Sequence, residues 1–176
     1  MNNNIKKLLV VDFDGTLCDS SQPEEGMKLY RLVTGKNWEH NNSWWSQEET
    51  LDTNIFNIKL FPKIVNEIES IYSDDTFLMI FTSRLGKFKS KIENILNING
   101  FSSYDAIDLN TTNESKGDRL LDIIIGFSNL ESIIVYDDRN IEVESFKSIV
   151  GELDNIKNYT INVVKDGNVI ERIKLI

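Results

Sequence analysis

Residues 12–17 of this 176-residue chain read Asp-Phe-Asp-Gly-Thr-Leu, directly after the apolar run Ile5 to Val11. Two carboxylates two residues apart are an unusual way to end an apolar strand, because buried charge is costly unless it is paired or bound to a metal. One reading assigns each a task. Asp12 is placed to attack phosphorus and form an aspartyl-phosphate. Asp14 is placed to protonate the leaving oxygen and then to activate water. Gly15 lets the backbone turn so that both carboxylates face one point. The plainer reading is a strand-terminal Asp turn. Later apolar runs also end in polar groups: FLMIF is followed by Thr82-Ser83-Arg84, and IIVY by Asp137-Asp138-Arg139. In open α/β sheets, ligands bind outside the carboxyl ends of the strands.

The elements that must position these residues alternate along the chain. Ile5–Phe13, Phe77–Phe81, Tyr104–Leu109, Ile133–Tyr136 and Tyr159–Val164 read as buried parallel strands. Between them, helical spacing groups Ile64, Ile68 and Ile71, then Phe88, Ile92, Ile95 and Leu96. A third stripe is Leu120, Leu121, Ile124 and Ile125, and a looser fourth is Ile141, Val143, Phe146 and Ile149. Strand–helix alternation predicts a doubly wound, Rossmann-like, mainly parallel sheet in a single domain over 1–176. Asp166-Gly167 between two strand-like segments predicts a C-terminal β-hairpin at one sheet edge. Residues 20–60 break the alternation and hold Trp38, Trp44 and Trp45, predicting a small helical insertion or cap after the first strand. The tryptophans suit packing of that insertion, with base stacking as the alternative.

VVDFDGTL resembles the first motif of the haloacid dehalogenase-like (HAD) phosphatases, hhhDxDGT. The later motifs follow in the family's order over residues 5–150: Thr82 in FLMIFTSR, Lys116 in TTNESKGDRLLDIII, and Asp137-Asp138 in IIVYDDR. The resemblance implies that Asp12, Asp14, Thr82 and Lys116 are catalytic. It implies that Gly15, Thr16, Ser83 and Arg84 contact the substrate, with capping a helix or pairing with an acid as the alternative for Arg84. It also implies that Asp12, Asp137 and Asp138, with the backbone carbonyl of Asp14, hold Mg²⁺ through oxygen ligands. The forms TSR and YDDR, Ser43-Trp44-Trp45 and the Phe146 that follows DDR are similar to the Swiss Army Knife RNA repair-like HAD domain. TSR and YDDR also resemble the phosphatase domain of phage polynucleotide kinases. That likeness implies a phosphorylated substrate, either a nucleic-acid 3′ end or a nucleotide. Arg139, beside two acids, either binds substrate or neutralises them. Glu142 and Glu144 are expected on a solvated helix face.

Composition narrows the field. Asp and Glu outnumber Lys and Arg by 28 to 19, a net charge of −9. Such a surface argues against non-specific nucleic-acid binding, which needs basic patches. A basic strip from Lys87, Lys89, Lys91 and Arg84 would serve a nucleic-acid substrate, but helical spacing spreads the lysines around the axis. A small-metabolite phosphatase is the alternative substrate class, and a non-catalytic HAD-fold binding protein the alternative function. One cysteine, Cys18, precludes an intrachain disulfide. With no signal-peptide pattern and no apolar run of membrane-spanning length, the expectation is a cytoplasmic protein that makes no membrane contact.

Overall fold

The computed structural model describes residues 4–40 and 44–176. The apolar runs become strands because neighbours cover both faces of each. Strand β1 (Lys7–Val11) lies between β4 (Thr76–Leu85) and β6 (Ser132–Asp137), parallel to both. Strand β5 (Ala106–Asn110) extends the sheet beyond β4, and β7 (Asn158–Lys165) extends it beyond β6. Strand β8 (Asn168–Lys174) closes the far edge antiparallel to β7, giving the order β5-β4-β1-β6-β7-β8. The β7–β8 turn has Asp166 at φ 49° and Gly167 at φ 66°, the doubly left-handed backbone that a tight two-residue hairpin requires.

Alternation along β1 divides the core. Leu9, Val11 and Phe13 pack with Leu78, Ile80 and Tyr136 under helices α2 (Pro62–Ile71) and α3 (Lys89–Ile98). Leu8 and Val10 pack with Met79, Phe81, Ile133 and Val135 under α4 (Lys116–Ile124) and α5 (Asn140–Ser148). Two members of the expected stripes fall outside the core: Ile125 is 82% exposed and Ile141 is 68% exposed. Both lie at helix ends, where the backbone leaves the helical track and a 3.6-residue period no longer says which way a side chain points. The chain leaves β1 for β4 and β5 on one side and later crosses to β6 and β7 on the other. The carboxyl end of β1 is therefore the switch point at which a crevice opens.

The segment after β1 is bracketed by two short antiparallel strands, β2 (Cys18–Asp19) and β3 (Lys59–Leu60). Between them, α1 (Pro23–Thr34) starts on a proline and ends at Gly35 in the left-handed region. Two 3-10 turns follow, Trp44–Ser46 and Glu48–Leu51. Trp44 is buried against Gly26, where a Cβ would stand 2.2 Å from the indole, and packs on Trp38 and Phe56. Its indole N–H donates to the Ser21 carbonyl at 3.0 Å. Ser43, part of the Trp-Trp element in the sequence, lies outside the described residues. Among the described residues, no helix is long and apolar enough to cross a membrane.

Candidate active site

The main chain past β1 folds into a tight loop. Leu17 N–H donates back to the Asp12 carbonyl (3.1 Å), Cys18 N–H to that of Phe13 (2.8 Å), and Gly15 N–H to that of Cys18 (2.9 Å). Gly15 sits at φ 77°, and a Cβ there would lie 2.4 Å from Asp138 Oδ2. Both the backbone turn and the approach of Asp138 therefore require glycine at this position. Thr16, buried beside it, directs its hydroxyl to Asp138 Oδ1 at 3.4 Å. Burial pushes the Cys18 thiol well above its ordinary value, so it offers no thiolate to this site.

Lys116, at the start of α4, reaches under the loop. Its ammonium donates to Asp12 Oδ1 at 2.5 Å and to Asp137 Oδ2 at 2.7 Å, with all three side chains buried. The reach depends on Gly117, whose missing Cβ would stand 2.2 Å from the Ser145 carbonyl of α5. Ser115 caps the helix by accepting from Asp118 N–H. Asp12 Oδ2 is buried and has no hydrogen-bond partner. Burial raises the Asp12 carboxyl well above its ordinary range. Lys116 opposes that rise, while Asp137, Asp138 and Asp14 add to it. Burial also works against the Lys116 charge, but the two carboxylates outweigh it and lift Lys116 above the usual lysine value. Burial, then Asp137, raises Asp138 to about 6.

Ligand atoms of Asp12, Asp137 and Asp138 all lie within 4.8 Å of one another. Asp12, Asp14, Asp137 and Asp138 face the buried cations Lys116 and Arg84, a formal excess of two carboxyl groups over cations. An orphaned carboxylate oxygen, a cluster of oxygen donors and that excess fit a divalent cation of the Mg²⁺ type. The Asp14 carboxylate is engaged by Arg84, so any share of Asp14 in holding a metal falls to its main-chain carbonyl.

The end of β4 supplies the other wall. Phe81 pairs with Asp108 of β5, but the next pairing is Leu85 with Asn110: β4 advances four residues while β5 advances two. The bulge swings Thr82, Ser83 and Arg84 toward Asp12. Thr82 Oγ accepts from Arg84 N–H at 3.1 Å, which leaves its own proton to donate. Arg84, 2% exposed, forks onto Asp14 through Nε (2.8 Å) and Nη2 (2.9 Å). Its Nη1 donates to the Trp45 carbonyl (2.9 Å) and to Thr50 Oγ (2.6 Å), and the guanidinium stacks 4.9 Å from the Trp45 ring. The residue expected to meet substrate thus spends its donors on Asp14 and on the inserted segment. The Thr82 carbonyl, displaced by the bulge, accepts from Arg119 Nη2 at 3.1 Å. Arg119 is neutralised by Asp108 and lies 4.5 Å over the Phe81 ring.

These groups surround a cavity of about 180 Å³ lined by Asp12, Asp14, Gln22, Trp45, Thr82, Ser83, Arg84 and Arg139. A larger concavity of about 420 Å³, between α4 and the Glu152–Ile156 segment, lies away from the strand carboxyl ends and holds no such grouping. Lys116, Asp137 and Asp138 stand behind Asp12 rather than in the cavity wall. Lys89 and Lys91 pair with Glu93 and Glu48, and Arg84 is not on their surface. Glu142, expected in solvent, turns inward: its Oε1 accepts from Ser83 Oγ at 3.3 Å and lies 3.5 Å from Arg139 Nη1. Glu144 is exposed as expected. Sequence reading missed Gln22, Thr50, Asp108, Arg119 and Glu142. The local signals were Arg119, one helical turn after Lys116 on the same face, and Glu142, one helical turn before Phe146.

A switch-point crevice carrying an Asp-x-Asp loop, a strand-end Thr, a buried Lys and a second acidic pair defines a HAD-like domain. Residues 26–174 match the family described as HAD domain family 1 in Swiss Army Knife RNA repair proteins. The chain belongs to that family. It is 29% identical over 177 residues to an uncharacterized protein of Saccharomyces cerevisiae, a match that takes in 85% of this chain and 38% of that protein. The chain thus spans well under half the length of the curated relative it matches. Among solved structures it resembles a haloacid dehalogenase-like hydrolase of Streptococcus pneumoniae: TM-score 0.51, 18% identity, 82% of this chain and 81% of that one. It also resembles the HAD domain of the Legionella pneumophila effector protein Lem4: TM-score 0.57, 13% identity, 95% and 90% covered. At these identities the likeness is one of fold.

Proposed function

We propose that this domain is a Mg²⁺-dependent phosphohydrolase that removes a phosphate monoester through an aspartyl-phosphate on Asp12. The observation that carries the reading is the state of Asp12: one oxygen is fixed by Lys116 at 2.5 Å, the other is unpartnered, and the residue lines a cavity shared with Asp14 and Thr82. Asp12, Asp137, Asp138 and the Asp14 carbonyl would hold the ion, which when bound screens phosphoryl charge and orients the transferring group.

The chain's own groups supply the rest. Asp12 attacks phosphorus through a carboxylate oxygen as the bond from phosphorus to the leaving oxygen breaks. Asp14, aimed by the Arg84 fork, passes a proton to that leaving oxygen. It then takes one from the water that cleaves the Asp12–phosphoryl bond. Thr82 donates its hydroxyl proton to a phosphoryl oxygen, and Lys116 keeps the nucleophile oriented.

The cavity, about 180 Å³, is smaller than the roughly 300–1,000 Å³ pockets that enclose whole ligands. It suits a terminal phosphate whose carrier stays outside. Together with the RNA-repair context of the family and Trp45 in the cavity lining, that favours a nucleic-acid 3′ end or a nucleotide. The net charge of −9 favours the second reading, a small phosphorylated metabolite.

The test is phosphate release with Mg²⁺, with and without chelator, comparing a 3′-phosphorylated oligonucleotide with nucleotides and sugar phosphates, and Asp12→Asn as control. Chelator-sensitive release that Asp12→Asn abolishes supports the mechanism, and full activity in Asp12→Asn removes the nucleophile. Release from small esters alone moves the substrate to a metabolite.

A further inference from the structure

Ser83 and Arg139 leave the ends of different strands, β4 and β6, yet both meet one atom, Glu142 Oε1. Ser83 Oγ donates to it at 3.3 Å and Arg139 Nη1 stands 3.5 Å away. Charge-assisted bonds ordinarily close to about 2.7–2.9 Å, so both contacts are slack. Nearby, Arg84 makes four bonds of 2.6–2.9 Å through all three of its nitrogens. Of the two guanidiniums lining the cavity, Arg139 is therefore the one with freedom to meet a ligand. Its side chain is 52% exposed, while its main chain is pinned by an N–H donating to Asp137 Oδ1 at 2.9 Å. Glu142, in the first turn of α5, has a side chain only 13% exposed. A carboxylate oxygen lodged between a hydroxyl and a guanidinium at a cavity wall occupies the place that a ligand's anionic oxygen would take.

We infer that Ser83 and Arg139 form an oxyanion subsite of the cleft and that Glu142 fills it in the free protein as an internal competitor. The inference rests on the phosphohydrolase reading and deepens it by assigning the substrate-facing cation to Arg139. The ligand is a phosphate oxygen, from either the transferring group or a phosphodiester beside it. On binding, the ligand displaces Glu142 Oε1 and takes both donors. Ser83 and Arg139 bind substrate, whereas Glu142 sets how tightly they do so.

The test is equilibrium binding to the full chain with Mg²⁺ present, using orthophosphate and a short oligonucleotide ending in a 3′-hydroxyl, neither of which turns over. Glu142→Gln, close in shape, removes the competing charge and is expected to tighten binding about fivefold to tenfold. Arg139→Ala is expected to weaken it about tenfold, the low end for a charge-assisted bond at a half-exposed site. Arg139→Lys falls between. Opposite-signed shifts for orthophosphate place the transferring group in the subsite. Such shifts for the oligonucleotide alone place a phosphodiester there, and either outcome sustains the inference. If Glu142 merely braces the cleft, Glu142→Gln weakens binding or leaves it unchanged for both ligands, and the inference falls. The two readings fail separately. Ester hydrolysis without opposite-signed shifts overturns only the subsite. Opposite-signed shifts without hydrolysis of any ester leave the subsite standing and remove the phosphohydrolase.

Discussion

Arg84 is buried and ties Asp14 to the inserted segment, so its removal can be worked out bond by bond. Arg84→Met keeps much of the volume and deletes the fork onto Asp14, the bond to the Trp45 carbonyl and the bond to Thr50 Oγ. Breaking a buried ion pair from one side costs about 3–5 kcal/mol, because the remaining charge and acceptors stay desolvated. Asp14 is 15% exposed and recovers some hydration, so about 3 kcal/mol is the expected loss. For a chain of 176 residues, at roughly 2–4 °C per kcal/mol, the melting temperature should fall by about 6–12 °C. The assay is thermal unfolding in chelator for wild type, Arg84→Met, Asp14→Asn and the double variant. A coupling energy of about 2 kcal/mol is expected from the cycle. A melting temperature within 2 °C of wild type, or a coupling below about 0.5 kcal/mol, refutes the burial argument. Kinetics separate positioning from contact. If Arg84 aims Asp14, kcat falls and KM holds. A raised KM at unchanged kcat returns Arg84 to direct contact with substrate.

Lys116→Met deprives Asp12 and Asp137 of their shared cation. We expect kcat to fall by about 10²–10³, and Mg²⁺ to raise the melting temperature more in the variant than in wild type. A kcat within tenfold of wild type would show that Lys116 is only structural. Gly117→Ala gains about 1 kcal/mol of helix propensity. It also places a Cβ 2.2 Å from the Ser145 carbonyl, an overpacking cost of about 1–3 kcal/mol. Net destabilisation with lowered kcat is expected, and a higher melting temperature would contradict the close-approach argument. Arg119→Met leaves the Thr82 carbonyl and Asp108 without their partner, a loss of about 1–3 kcal/mol. Its kcat should drop although Arg119 lines no part of the cavity, and unchanged kinetics with a lower melting temperature would confine Arg119 to stability.

The residue types of the site were legible because an apolar strand that ends in charge violates the economy of burial and so announces a purpose. Asp12 and Asp137-Asp138 stand out for that reason, and Thr82 stands out by its place after FLMIF. The parallel sheet was legible for a related cause: β-branched runs separated by helical periods leave few alternative packings. What stayed hidden is geometry created by pairing across the fold. Nothing in the sequence FTSRL marks the bulge between Phe81 and Leu85, because a bulge is a mismatch with β5 and exists only once Asp108 and Asn110 are alongside. Trp44 and Trp45 are adjacent and alike, yet one fills the insertion beneath Gly26 while the other faces Arg84 and the cavity. Glu142, as an acid, was expected in solvent, although it stands four residues before the buried Phe146 and so flanks the core-facing side of α5. That position lets it meet Ser83 where β4 delivers it. Arg84 carries the same lesson further. Its chemistry suits a phosphate, as the sequence implied, but Asp14 arrives from 70 residues away and takes the fork. With Arg84 committed to Asp14, phosphate recognition passes to whichever cation at the cavity keeps its freedom. That condition, set by tertiary contacts rather than by motif, selects Arg139.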